Sequence, residues 1–247
     1  MLYLIGLGLY DEKDLTIRGM EAAESCDLLY METYTSGWYG LENLKKKLNK
    51  EITVVKRSDL EEDQKKILEE SKKRKVCVLI PGDPLVATTH TDLLIEARKA
   101  GIRTFVIHAP SIYSALGETG LFIYKFGKTT TIPFPQKGYR PESPYDAIKE
   151  NKERGLHTLC LLDIKEKLMQ PREALKYLLD IEEKRGEGVI SKKDMALVFV
   201  SRDRGLLEYD TVENLLEKEF PTPASLIVPG ILHEMEKEVL KWARKNS

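Results

Sequence analysis

Cysteine is scarce in the 247-residue chain: three residues, Cys26, Cys77 and Cys160, stand far apart in the apolar segments ESCDLLY, KVCVLIPG and HTLCLLDI. An odd, scattered set argues against a disulfide framework, and the lack of any paired Cys/His spacing argues against a zinc site. The three read as buried thiols that behave as small hydrophobes. Excess charge is missing too: 39 Lys and Arg face 40 Asp and Glu, for a net charge of -1. The broad basic footprint of a nucleic-acid binder is therefore absent. No apolar run approaches the roughly 18 residues that span a bilayer, and no basic-then-apolar leader precedes the first strand pattern. The expectation is a cytoplasmic protein with neither a membrane nor a direct nucleic-acid partner.

What is present is a globular composition, 42% apolar and 32% charged, with strand and helix patterns alternating from the first residue. Residues 2–7 read as a buried strand and 14–25 as a helix capped by Asp11 or Asp14. Strands follow at 27–34, 52–57, 76–82 and 103–109, with helices at 41–49, 59–74 and 91–101. Continuous apolar strands between helices predict a parallel sheet covered on both faces. After Ala109 the pattern changes: a short helix at 110–120, a strand-like 122–135, then the Pro/Gly-rich PQKGYRPESP. Alternation resumes from Tyr145, with strands at 157–164, 195–203 and 224–230 and helices at 145–155, 171–186, 212–220 and 231–245. The reading is α/β with two α/β domains, 1–109 carrying a glycine turn and a PGDP loop, and 110–247.

The opening LYLIGLGLYDEKDLT has Gly6 and Gly8 where a dinucleotide fingerprint has its first two glycines. Its third glycine is replaced by Asp11, followed by Glu12 and Asp14, and carboxylates at a helix start repel the phosphates that such a turn binds. Glu32, closing the second strand, imitates the ribose-binding acid, so a nucleotide-dependent oxidoreductase stays open beside a turn that serves no ligand. In LIPGDPLVATTH, Pro81 and Pro84 stiffen a loop that places Asp83 at the carboxyl end of a strand, where open α/β sheets bind ligands. Polar punctuation recurs after other strands in HAPSIYS, LLDIK and VSRDRG. Such a lining offers backbone groups, an aspartate and apolar side chains, with little to hold a phosphate. It suits a positively charged, phosphate-free adenosine such as S-adenosylmethionine.

At these residues the chain resembles the tetrapyrrole-methylase-like, class III S-adenosylmethionine-dependent methyltransferases. YLIGLGLYDEKDLTIRG is similar to their first motif, with Leu9-Tyr10 in place of Pro-Gly, and PGDPLVATTH to their second. With HAPSIYSA, IYKFGK, KENKERGLHTLCLLDIK and LIVPGILH, the likeness extends over nearly the whole chain. It points to the branch that methylates a modified histidine of translation elongation factor 2. The resemblance implies a homodimer of two-domain subunits with S-adenosyl-L-methionine in the cleft between domains. Carried over, the cofactor contacts are Leu9, Asp83, Val86, Ser111 and Ile112 in the first half and Leu162, Asp203 and Ala224 in the second.

Methyl transfer from a sulfonium to an amine is an in-line displacement with a leaving group already activated. Alignment of the reacting atoms can supply about 7–11 kcal/mol of the barrier, so the lack of a nucleophile–base arrangement does not count against an enzyme. No general base is named by the sequence. His90 and His108 flank the cofactor motifs and are read as structural histidines, with acceptor contact as the alternative. Tyr113, Tyr124 and Lys125 stand as acceptor-side candidates against ordinary core packing. A tetrapyrrole acceptor is the competing substrate, although its many carboxylates call for a basic cleft that no motif supplies.

Overall fold

The structure, a computed structural model, describes residues 1–61, 63–164, 167–201 and 205–245, with side chains described to residue 243. The chain divides into two compact units, Met1–Ser114 and Ala115–Ser247. The break falls a few residues beyond the change in pattern read from the sequence.

In the first unit the order is β1 (Leu2–Gly6), α1 (Ile17–Ser25), β2 (Leu28–Glu32), α2 (Leu41–Leu48), β3 (Ile52–Val55), α3 (Arg57–Glu61), α4 (Lys65–Lys73), β4 (Val76–Ile80), α5 (Thr91–Lys99) and β5 (Thr104–Ile107). The strands form one five-stranded sheet in the order β3-β2-β4-β1-β5, every pairing parallel. Side chains alternate between the faces of a strand. Val76, Val78 and Ile80 therefore join Leu93, Leu94 and Ala97 of α5 on one face, while Cys77 and Leu79 join Ala23, Leu44 and Leu48 on the other. Both faces are covered, which is why these strands are apolar throughout.

The first helix starts at Ile17 and is capped by Thr16, whose hydroxyl accepts the Gly19 N–H at 3.0 Å, not by Asp11 or Asp14. The Asp14 carboxylate is engaged upstream, where it accepts the N–H groups of Leu9 and Tyr10 at 3.0 and 2.7 Å. The single helix read over 59–74 is two, α3 and α4, and the Asp63 N–H closes back on the Ser58 carbonyl at 2.8 Å between them.

A short α6 (Ile112–Ala115) carries the break, followed in the second unit by 3-10 turns at Leu116–Thr119 and Ile123–Lys125. Then come β6 (Thr130–Ile132), α7 (Ser143–Glu153), β7 (Thr158–Leu162), α8 (Pro171–Arg185), β8 (Met195–Val200), β9 (Leu206–Thr211), α9 (Val212–Leu216), β10 (Ser225–Val228) and α10 (Glu234–Lys245). The sheet order is β6-β7-β10-β8-β9. Only β6 and β7 run parallel; β10 is antiparallel to both neighbours, and β9 to β8. Its core joins Cys160, Val198 and Leu226 of the sheet to Tyr145 and Ile148 of α7 and Leu175 and Leu178 of α8.

The strand-like 122–135 yields a strand only at β6, because its earlier part turns to meet a buried carboxylate. The amide of Phe122 and the ammonium of Lys125 both donate to Glu236 of α10, at 2.8 and 2.5 Å. Strand β9 carries no strand pattern in the sequence: it is an edge strand interrupted by Glu208 and Asp210, both paired with Lys218, so it lacks the apolar run of its neighbours.

Candidate active site

The carboxyl ends of β1, β4 and β5 lie side by side in a parallel sheet, so the loops leaving them meet. Gly8 and Gly82 exchange backbone hydrogen bonds, Gly8 N–H to Gly82 carbonyl at 3.2 Å and Gly82 N–H to Gly8 carbonyl at 2.7 Å. Both glycines are in the left-handed region, at φ of 78° and 71°. At Gly6 a side chain would sit 2.7 Å from both the Gly82 carbonyl oxygen and the Ala109 Cβ. The glycines thus serve close approach of two backbones. Along this turn the Leu7 N–H donates to Ile80, Gly8 to Gly82, and Leu9 and Tyr10 to Asp14. Four consecutive amides that a pyrophosphate would need are already engaged.

Asp83, in the loop that leaves the carboxyl end of β4, is buried, with 7% of its surface exposed. Its Oδ1 accepts the Leu85 N–H at 3.0 Å, and its Oδ2 accepts His108 Nδ1–H at 2.7 Å and the Ala109 N–H at 3.4 Å. Val86 closes the turn by donating to the Asp83 carbonyl at 3.3 Å. Ala87 follows at φ 55°, a conformation that a residue with a Cβ seldom adopts. Ser111 is buried beside Gly82 and accepts the Ser114 hydroxyl at its carbonyl, at 2.8 Å; Ile112 opens α6. The structure therefore gathers Asp83, Val86, Ser111 and the Gly8–Leu9 turn at one edge of the first unit.

Other titratable groups on that edge are engaged. Glu32, fully buried, accepts the N–H groups of Tyr34 and Thr35 at 2.9 and 3.0 Å and also the Thr35 hydroxyl. Burial pushes its carboxyl up, and the N–H and hydroxyl donors partly offset this. It caps its own turn, which displaces the ribose-binding role. Glu12 is buried against Lys47 and Asn43; burial opposes ionisation, but its backbone bond and these two side chains hold it below the usual carboxylate range. His90, 2% exposed, lies between Thr88 and Tyr34, and burial pulls it down to about 4. It is a core histidine, as read.

In the second unit Leu162 ends β7, buried, and Ala224 immediately precedes β10. Ser225 pairs with Leu161 and with Phe199 of β8, so the end of β7 and the start of β10 share one sheet edge. Asp203 lies outside the described residues. Lys125 is committed to Glu236 and the Ile231 carbonyl, while Tyr124, 81% exposed, stacks on Phe122 with ring centroids 5.4 Å apart. His157, fully buried, accepts the Gly230 N–H at Nδ1 and donates from Nε2 to Glu236, each at 3.0 Å, a structural bridge. Among the described residues, no group of three His, Cys, Asp or Glu side chains is placed to hold a metal ion.

The profile of Tetrapyrrole (Corrin/Porphyrin) Methylases matches residues 1–190, and the chain belongs to that family of methyltransferases. It is 48% identical over 255 residues to the diphthine synthase of Methanococcus maripaludis and 47% identical over 257 residues to that of Methanocaldococcus jannaschii, each alignment covering 100% of both chains. Within the family it therefore falls among the diphthine synthases. A solved structure described as diphthine synthase is similar to it with a TM-score of 0.90 and 34% identity, covering 99% of this chain and 96% of that one. The oxidoreductase reading is set aside by these matches.

Proposed function

We propose that the protein carries out the diphthine synthase reaction of diphthamide biosynthesis. It would transfer methyl from S-adenosyl-L-methionine to the amino group of the 3-amino-3-carboxypropyl-histidine of translation elongation factor 2. The full-length likeness to diphthine synthases carries this reading. The chemistry of the first unit's edge fits the cofactor: Asp14 follows β1, Glu32 closes β2 and Asp83 follows β4, the amides of residues 7–10 are engaged, and a Cβ at Gly82 would meet the Ser111 Cβ at an ordinary contact distance of 4.0 Å. Engaged amides and carboxylate acceptors disfavour phosphate and favour a cationic nucleoside.

When bound, the cofactor supplies a methyl group on an activated sulfonium. The chain's own part is to orient and to exclude water. The reciprocal Gly8–Gly82 bonds and the Asp83 carboxylate fix the two loops on the strand ends, so ordering them costs nothing at the moment of reaction. Leu9, Asp83, Val86, Ser111 and Ile112 are assigned as cofactor contacts from the first domain, 1–109 and its outgoing turn. Leu162, Asp203 and Ala224 are assigned from the domain 110–247, which completes the cofactor and acceptor site. The working form is a cytoplasmic homodimer. Exposed Met235, Val239 and Trp242 along α10 favour burial by a second copy, and no helix of the described residues is long and apolar enough to cross a membrane.

The test is incubation with labelled S-adenosylmethionine and either elongation factor 2 bearing the amino-carboxypropyl histidine or uroporphyrinogen. Mass increments of methyl on the factor are expected. Label on the tetrapyrrole alone would overturn the assignment.

A further inference from the structure

One histidine of the site edge is held in a way that its structural neighbours are not. His108 follows β5 directly, its side chain is 70% exposed, and it bonds through Nδ1 to an Asp83 side chain that is 8% exposed. Asp83 also receives two backbone N–H groups, so its carboxylate is fixed in place before any ligand arrives. An ionised carboxylate only accepts hydrogen bonds; the neutral imidazole must therefore keep its proton on Nδ1, which leaves the Nε2 lone pair directed away from Asp83. Among the described residues Nε2 has no hydrogen-bond partner. The other charged or titratable groups of this edge are engaged elsewhere: Glu32 by Tyr34 and Thr35, Asp14 by Leu9 and Tyr10, Arg57 by Glu61, and His90 by Thr88 and Tyr34. Asp83 is the charged group bonded to His108.

We propose that His108 is the proton acceptor for the amine that the protein methylates, oriented by Asp83. The inference rests on the methyl-transfer reading above and adds a residue to it. An α-amino group with a pKa of about 7.7–8.0 is mostly ammonium near neutrality and has no lone pair to attack with. His108 Nε2 takes one ammonium proton, breaking that N–H bond and leaving the electron pair on nitrogen. The pair forms the new N–C bond to the methyl carbon while the C–S pair returns to sulfur, which leaves as a neutral thioether. The imidazolium then gives its proton to water, and the methylated ammonium can enter a second round in the same way. Asp83 stabilises the transient imidazolium throughout.

The experiment compares full-length wild type with His108→Gln and His108→Ala, using the precursor-bearing elongation factor, from pH 7 to pH 9. Without the base, only the amine already neutral in solution reacts. The variants should lose up to roughly tenfold in kcat/KM at pH 7 and less than about twofold at pH 9. Added imidazole should restore His108→Ala at the lower pH, and calorimetric affinity for S-adenosylmethionine should be unchanged. A deficit that is equal at both pH values, a loss of cofactor affinity, or full activity in both variants would overturn the assignment. If the wild type itself transfers no methyl to the factor, the substrate reading falls and takes this inference with it; a flat ratio in an active enzyme sinks the inference alone.

Discussion

Glu236 offers the sharpest test of how the second unit is held together. Its carboxylate is fully buried and receives four donors: the N–H groups of Phe122 and His233 at 2.8 and 2.7 Å, Lys125 Nζ at 2.5 Å and His157 Nε2 at 3.0 Å. Burial alone would raise its pKa; Lys125, the two amides and His157 outweigh that and hold it at about 2, against an ordinary 4.5. Between those values the unfolded chain takes up a proton that the folded chain refuses. Stability from this group is therefore complete above about pH 4.5 and is lost as pH falls toward 2, amounting to about 3 kcal/mol. Replacing it by glutamine keeps the shape but turns an amide N–H₂ toward donors and strands the half-buried Lys125. Breaking one partner of a buried pair costs about 3–5 kcal/mol. Glu236→Gln should therefore be destabilised by that amount near pH 7 in urea unfolding, with the gap closing toward pH 2. Exchange of the Phe122 and His233 amides should quicken in parallel. A loss under about 1 kcal/mol, or curves that stay parallel through the acid window, would refute the reasoning.

Two further outcomes follow from the first unit. Gly8→Ala places a side chain at φ 78° and 2.2 Å from the Asp14 Cβ, so the turn must open; a loss of roughly 2 kcal/mol or more is expected in thermal melts, and a change within about 0.5 kcal/mol would contradict the packing described. His90 is held down to about 4 by burial, so the unfolded chain binds the extra proton as pH falls below about 6.5 and stability declines toward pH 4. His90→Gln should flatten that part of the stability–pH curve, and an unaltered slope would show that His90 is not the group responsible.

How much of this was legible beforehand depended on whether a residue's fate was local. The first unit's strands were readable because a parallel sheet buried on both faces leaves apolar residues at every position, as in Val76–Ile80. Strand β9 was not, since its buried Glu208 finds a partner, Lys218, only after α9 has brought the chain back. Thr16 and Asp14 both suit a helix cap, and the choice turns on which N–H groups the folded turn presents. The loop after β4 drew attention to Asp83 by its position at a strand's carboxyl end, whereas Val86 and Ser111 are proposed through the resemblance to class III methyltransferases alone. The bond from Asp83 to His108 joins residues from two different strand ends, so no spacing in the sequence encodes it. Ala224 shows another limit. It precedes its strand, and it shares an edge with the end of β7 only because β10 runs antiparallel.

The glycine turn shows how one backbone geometry can exclude a ligand class that its sequence imitates. In a dinucleotide fold the second glycine brings free amides to a pyrophosphate. Here the same freedom at Gly8 is used to pair with Gly82, and the helix start that would complete the phosphate site is replaced by Asp14, which takes the next two amides. The change has two consequences that reinforce each other. It removes the donors an anion needs, and it ties the first loop to the second through short backbone bonds that do not depend on side-chain rotamers. A reaction whose leaving group is already activated gains most from that second effect, because what remains of its barrier is alignment. The sequence features that argue against phosphate are therefore the same ones that hold this edge rigid, as the proposed methyl transfer requires.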